Sequence, residues 1–253
     1  MTTMLKLLGA AAALAMFAGA AQAADFPTPA SPSWTGGYIG VVGGYGWGDS
    51  DFDADVVNSA DNTDVLDSMN GSIDVDGFLL GGQAGYDFDF SNGMVLGVAG
   101  DMSWSGMDGD TCVNVAPGCV GDPDDSYGFA EVNWIATVRA RAGFSTGSAL
   151  FYGTGGLAIA DADASATFIE GDTDPRRSDS NTHLGWVIGA GAEYRMTQKM
   201  SLGAEYLHVE LGREEYTMRG TAVDILSDSD LTLDIVKAMR GYTFYWSGQP
   251  PVC

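Results

Sequence analysis

Apolar residues recurring at every second position, in one segment after another, limit what this chain can fold into more than any other feature. The clearest case runs from about Glu131 to Phe144. There Trp134, Ala136, Val138, Ala140, Ala142 and Phe144 alternate with Ile135, Thr137, Arg139, Arg141 and Gly143. Successive side chains of a strand point to opposite faces, so this pattern gives one apolar face and one mixed face. The segment from about Asp76 to Phe90 repeats it, with Phe78, Leu80, Ala84, Tyr86, Phe88 and Phe90 against Leu79, Gln83, Asp87 and Asp89. Met94, Leu96, Val98, Met102 and Trp104 follow opposite Asp101 and Ser103. Leu184, Trp186, Ile188, Ala190, Ala192 and Tyr194 lie opposite Glu193 and Arg195. Leu202, Ala204 and Tyr206 lie opposite Glu205. Further strands are expected at about Trp34 to Trp47, Leu150 to Ala160 and Leu231 to Trp246. The faces of the Gly-rich segment at 150–160 cannot be read.

Eight strand-like segments are thus joined alternately by long and short connections. The short ones, Ser91-Asn92-Gly93, Ser145 to Ser148 and Met196 to Lys199, have hairpin-turn chemistry; Asn-Gly readily takes positive φ. The long ones, near 49–75, 105–130, 161–182 and 212–230, are rich in Asp, Ser, Asn and Gly. This even count and alternation fit an antiparallel barrel with long loops at one end and tight turns at the other. Aromatics bracket the apolar face: at 3.4 Å per residue and a tilt near 40°, Trp134 to Phe144 covers roughly 26 Å of height, the scale of a lipid-facing band. A soluble barrel would hide the apolar face instead. The girdled, uncharged band favours lipid, and the expected fold is all-β: an eight-stranded antiparallel transmembrane β-barrel with four long extracellular loops and short periplasmic turns.

The amino end supports export. Lys6 precedes an apolar stretch, Leu7 to Ala20, and Ala21-Gln22-Ala23 has the small-x-small pattern of a cleavage site. The stretch is about 14 residues, short of the about 20 a spanning helix needs. Residues 1–23 are therefore expected to be a signal peptide, cleaved after Ala23. Residues 24–33 follow as a Pro-rich periplasmic tether, then the barrel at 34–246 and a C-terminal extension at 247–253. The formal charge is −23, and loss of Lys6 makes it −24. That balance excludes a nucleic-acid partner, whose phosphates need Lys and Arg.

Chemistry-bearing residues are few. Cys112 and Cys119 enclose a short stretch of one long connection, and a disulfide between them is expected; a metal site is the alternative, although no His lies near. Cys253 is left over. The glycines of the first strand suit a tightly curved wall rather than a phosphate loop, since no helix pattern follows. His183 and His208 read as solvated rim residues outside any hydrolase-like motif. No catalytic, cofactor-binding or metal site is expected. Asp49, Asp51, Asp53 and Asp55 alternate without the glycine and terminal glutamate of an EF-hand loop; a solvated acidic loop and weak divalent-cation binding are both consistent with them. The mixed faces place Asp87, Asp89, Asp101, Arg139, Arg141, Glu193, Arg195 and Glu205 in the barrel interior, together with Gln83. They form either a charge-lined ion path or a plug of paired charges. An eight-stranded interior is just wide enough for its own side chains, which favours the plug.

The segments Trp34-Thr35-Gly36-Gly37-Tyr38-Ile39-Gly40 and Gly43-Gly44-Tyr45-Gly46-Trp47-Gly48 resemble the opening of small alphaproteobacterial outer-membrane proteins of the porin family. Gly82-Gln83-Ala84-Gly85-Tyr86, the run Ala136 to Gly143, Tyr152 to Ala158, Gly189 to Tyr194 and Ala204 to Leu207 extend the resemblance over nearly the whole mature chain. It implies an abundant eight-stranded barrel in the cell outer membrane, associated with outer-membrane lipid and lipopolysaccharide and inserted by the barrel-assembly machinery. It supplies no catalytic residue. The final segment, Val236 to Phe244, fits loosely and puts Arg240 on the lipid-facing phase. The reading that follows is a non-enzymatic structural protein of envelope integrity and surface contact. A small diffusion channel is the alternative, and a surface ligand-binder or adhesin acting through the acidic loops is the third. Oligomeric state is not readable.

Overall fold

A computed structural model describes residues 33–58, 65–90, 92–112, 127–167, 176–218 and 223–244. Eight strands follow one another around a closed barrel: β1 (Gly36–Asn58), β2 (Val65–Asp89), β3 (Met94–Cys112), β4 (Tyr127–Thr146), β5 (Ala149–Thr167), β6 (Arg176–Arg195), β7 (Met200–Met218) and β8 (Val223–Phe244). Every neighbouring pair is antiparallel, and β1 closes on β8 from Gly37↔Phe244 to Asn58↔Val223. Through the apolar band, closure pairs every strand on both sides, as hydrocarbon requires of backbone polar groups. The signal segment, the tether up to residue 32 and the terminal extension lie outside the described residues.

The tight turns gather at one end. Gly93 and Gly147 take positive φ, 84° and 68°, as hairpin connections require. Gly93 N–H donates to Phe90 O at 2.9 Å, and the 196–199 turn donates Met196 N–H to Met200 O at 2.9 Å.

At the other end the strands run well beyond their expected bounds. β1 continues to Asn58 and β2 begins at Val65, with Asp49↔Asp74, Asp51↔Ser72 and Asp53↔Asn70 still paired. The expected long connections at 49–75, 105–130, 161–182 and 212–230 are therefore largely strand. Only 59–64, 113–126, 168–175 and 219–222 remain between the strands, outside the described residues. The physical reason is that an exposed strand beyond the lipid boundary can carry Asp on its outer face without burying it, so acidic composition there does not mean loop.

The outer face carries the apolar band. Ile39, Val41, Leu80, Leu96, Val98, Val138, Leu157 and Ile188 are all exposed. Trp104 and Trp134 are cross-strand partners at its upper edge, as are Tyr45 and Phe78. Phe88, Phe144, Phe151, Tyr194, Tyr242 and Phe244 line its lower edge. The Gly-rich β5 resolves into outward Phe151, Leu157 and Ile159 against inward Leu150, Tyr152, Thr154 and Ala158.

Just above the upper edge the outer face turns acidic. Asp76, Asp108, Glu131 and Asp163 are direct cross-strand partners along β2, β3, β4 and β5. Asn133 donates to Asp163 at 2.8 Å, and the Tyr45 hydroxyl donates to Asp76. On the opposite wall, Tyr206 OH donates to Asp234 at 2.6 Å.

Candidate functional site in the barrel lumen

Alternation delivers every second side chain to the lumen, and the sequence makes those side chains change character with height. The periplasmic end is floored by Trp34. It precedes β1 rather than opening it, and the chain turns it inward, where it is only 2% exposed. Its backbone N–H donates to Asp89 Oδ2 at 3.0 Å, and its Nε1 donates to Gly147 O at 3.2 Å. The Arg195 guanidinium stacks 4.4 Å from the ring centroid. Val95, Leu150 and Tyr152 complete this small apolar cluster.

Above the floor, Arg141 of β4 holds Glu193 of β6 at 2.6 Å and donates to the Tyr38 hydroxyl of β1 at 2.6 Å. Its guanidinium lies 4.0 Å from the Tyr152 ring centroid, and Asp87 is 3.9 Å away. Glycine makes room for both tyrosines: a Cβ at Gly85 would collide with the Tyr38 ring, and one at Gly191 with that of Tyr152.

The next layer centres on Asp101 of β3. Its carboxylate receives Arg139 at 2.7 Å, Lys237 of β8 at 2.5 Å and the Thr137 hydroxyl at 2.6 Å. Arg139 also meets Glu205 of β7 at 2.8 Å. Among the described residues, the lumen thus buries four carboxylates, Asp87, Asp101, Glu193 and Glu205, against four cations, Arg139, Arg141, Arg195 and Lys237. A charge that leaves water is tolerated when paired and hydrogen-bonded, and the layer as a whole is formally neutral. Asp87 Oδ1, Ser103 Oγ and the Nε atoms of Arg139 and Arg141 have no hydrogen-bond partner among the described residues. They are the polar points at which trapped water would bridge the network.

Further toward the cell surface the lumen becomes apolar. Leu79, Met107, Ile135, Val187, Leu207, Leu233 and Ile235 are fully or nearly fully buried in one cluster with Val75, Val132, Val209 and Leu211. A wholly polar lumen is the simple expectation for a barrel whose outer face is apolar; this one is polar in its periplasmic part and apolar above.

Seven of the eight charges expected inside, and Gln83, lie in the lumen. Asp89 does not join them. It sits half-buried at the periplasmic rim, where its carboxylate takes the Trp34 N–H and its own N–H donates to Thr35 Oγ1 at 2.9 Å. Asp89 is still paired with Val95 of β3, but the β1 side of the wall ends at Gly36↔Asp87, so its inward phase meets the rim rather than the ionic layer.

Lys237, 1% exposed, is missing from the sequence-derived set. Its signal was there, because the alternation that turns Val236, Ala238 and Arg240 outward turns Lys237 inward. Tyr38 and Tyr152 sit in Gly-rich strands whose faces are hard to read. The histidines also differ from a solvated rim. His183 is buried facing inward, its Nδ1 3.2 Å from Gly212 O, whereas His208 is on the outer face beside Asp234 at 2.8 Å. Cys112 is disulfide-bonded, and its expected partner Cys119 lies outside the described residues.

Residues 10–244 match the outer membrane protein beta-barrel domain family. The 31 kDa outer-membrane immunogenic protein of Brucella melitensis biotype 1 is 36% identical over 212 residues, covering 79% of this chain and 84% of that protein. The 25 kDa outer-membrane immunogenic protein of Brucella abortus biovar 1 is 30% identical over 258 residues, covering 96% and 100%. Among solved structures, the outer membrane protein OprG of Pseudomonas aeruginosa superposes with a TM-score of 0.53 at 13% identity, covering 85% of this chain and 99% of that one, a likeness of fold. An eight-stranded closed barrel with a girdled apolar band, matched to this family over nearly its whole length, makes the chain a member of the outer membrane protein beta-barrel domain family, resident in the cell outer membrane.

Proposed function

We propose that this chain is a structural, non-enzymatic protein of the outer membrane whose barrel is closed to solutes and whose outer surface makes its contacts. The observation that carries the reading is the stacked lumen: the Trp34 floor, the neutral ion-paired layer around Asp101 and Arg141, and the apolar layer around Ile135 and Leu207. An ion crossing this path would have to leave water at the apolar layer, which costs several kcal/mol per charge. The small lumen of an eight-stranded barrel leaves little room for a hydrated detour.

The contacts follow from the outer face. Its apolar band suits outer-membrane lipid, and the acidic row above it stands at headgroup height, where lipopolysaccharide would be the neighbour. Insertion would depend on the barrel-assembly machinery, and the first 23 residues would be removed on export. A liposome-swelling assay on refolded protein, with heat-modifiable gel mobility as the control for folding, tests the closed barrel. The expected result is no swelling above empty liposomes for small sugars or salts. Swelling that rises with protein content would make the chain a diffusion channel.

A further inference from the structure

Outside the lumen, the barrel sorts its charges by height. Among the described residues, outward carboxylates lie at or above the upper aromatic girdle: the row from Asp76 to Asp163 is above it, and Asp234 and Glu210 are level with Trp47 and Trp186, their cross-strand partners. Below that girdle the outward charged side chains among the described residues are Arg240 and Lys199, both cationic; Asp89, at the short-turn rim, keeps its inward phase and holds the Trp34 N–H.

Arg240 stands on β8 between Val41 of β1 and Leu202 of β7, exposed on the lipid-facing phase. Tyr242 and Phe244 follow on the same face, their ring centroids 5.1 Å apart. At about 2.6 Å of height per residue, Arg240 is about 10 Å above Phe244 and about 16 Å below Asp234. It is therefore inside the apolar band, in the half nearer the periplasm. Lys199 lies beneath it in the turn that packs on the end of β8, where the Lys199 carbonyl accepts the Thr243 N–H at 2.8 Å. Neither side chain has an ion-pair partner among the described residues.

A charge on the lipid face is destabilising in a depth-dependent way, and no described residue relieves it by an ion pair. The long arginine stem can carry the guanidinium down toward the level of the lower aromatics, where lipid phosphates begin. A guanidinium there matches a phosphate in charge and in its paired hydrogen-bond donors. We propose that Arg240, with Lys199 below it, binds the phosphate of an anionic phospholipid of the periplasmic leaflet on the outer face of β7, β8 and β1. Lipopolysaccharide phosphate has the same chemistry, but it faces the opposite rim, where the protein is acidic.

The test uses the refolded full-length mature protein, inserted in one orientation into asymmetric vesicles of phosphatidylcholine. A photoactivatable phosphatidylglycerol is placed in one leaflet at a time, and crosslinking to the barrel is read by mass. With the probe in the leaflet at the short-turn end, Arg240→Leu is expected to lower the yield about fivefold, the factor one basic side chain contributes at an anionic lipid surface. Arg240→Lys keeps most of the yield and guards against a folding artefact, with gel mobility checked for both. With the probe in the opposite leaflet, the yield is low and insensitive to either change. Equal yields for the wild type and Arg240→Leu, or crosslinking that depends on Arg240 from the opposite leaflet, would overturn the assignment.

Discussion

Asp101 takes three partners from three positions on two strands, and its burial leaves it no solvent to fall back on. Replacing it with Ala strands the Lys237 ammonium and half of the Arg139 fork in the lumen. Removing one member of a buried ionic group is costly because its partners stay charged and dry. Asp101→Ala is expected to destabilise the barrel by about 3–5 kcal/mol, read as a shift in urea unfolding followed by tryptophan fluorescence in lipid bilayers. Asp101→Leu combined with Lys237→Met is expected to recover much of that loss, because Arg139 keeps Glu205 at 2.8 Å. A double variant as unstable as the single one would mean that packing, not charge pairing, sets the cost. At this scale the inward phase of Asp101, Arg139, Arg141 and Glu205 is legible from alternation alone. Which carboxylate meets which guanidinium is not, because the partners come from β2, β3, β4, β6 and β7 and depend on register and barrel curvature. Asp89 was misplaced for the same reason: phase says which way a side chain points, and only the closed wall says whether there is an interior beside it.

Between elements, the direct partners of the acidic row repel each other. Asp108 has Asp76 on one side and Glu131 on the other. Like charges opposite each other in a sheet are destabilising by about 0.2–1 kcal/mol a pair. Asp108→Asn should therefore raise stability by a few tenths of a kcal/mol to about 1 kcal/mol, measured by the same unfolding assay at low salt, and the gain should shrink as salt screens the row. Lower stability in Asp108→Asn would mean that the row is held together by something other than its own side chains. Asp49, Asp51, Asp53 and Asp55 alternate with the period of a strand, yet their acidity reads as loop. β1 runs through all four and pairs with both β2 and β8. Period, not composition, decides the element here. The short turns were easier, because Asn92-Gly93 and Gly147 announce positive φ at the residues that need it.

For the whole molecule, the two faces of one sheet divide the work. The outside presents apolar girdles to lipid, acid at and above the upper one and cations below; the inside stacks a floor, a neutral ionic layer and an apolar layer. The even strand count, the closure and the membrane setting were legible because each depends only on period, turn chemistry and the span between aromatics. The apolar upper lumen was less so: Leu79 and Ile135 stand on the mixed face among polar residues, and only the barrel gathers them with Leu207 and Ile235. Trp34 is not legible as a floor, since in sequence it reads as the first residue of the opening strand. Its removal tests the lower seal: Trp34→Ala is expected to cost about 3–5 kcal/mol, as large buried aromatics do, without opening a path, because the apolar layer remains above it.

The closed lumen is tested most directly by single-channel current across a planar bilayer holding the refolded barrel. A silent baseline is expected for the wild type, for Trp34→Ala and for variants neutralising Arg139 or Arg141. Discrete, reproducible openings in the wild type, altered in size or selectivity when Arg139 or Arg141 is neutralised, would contradict it and show a charge-lined conducting path where the side chains are described as packed.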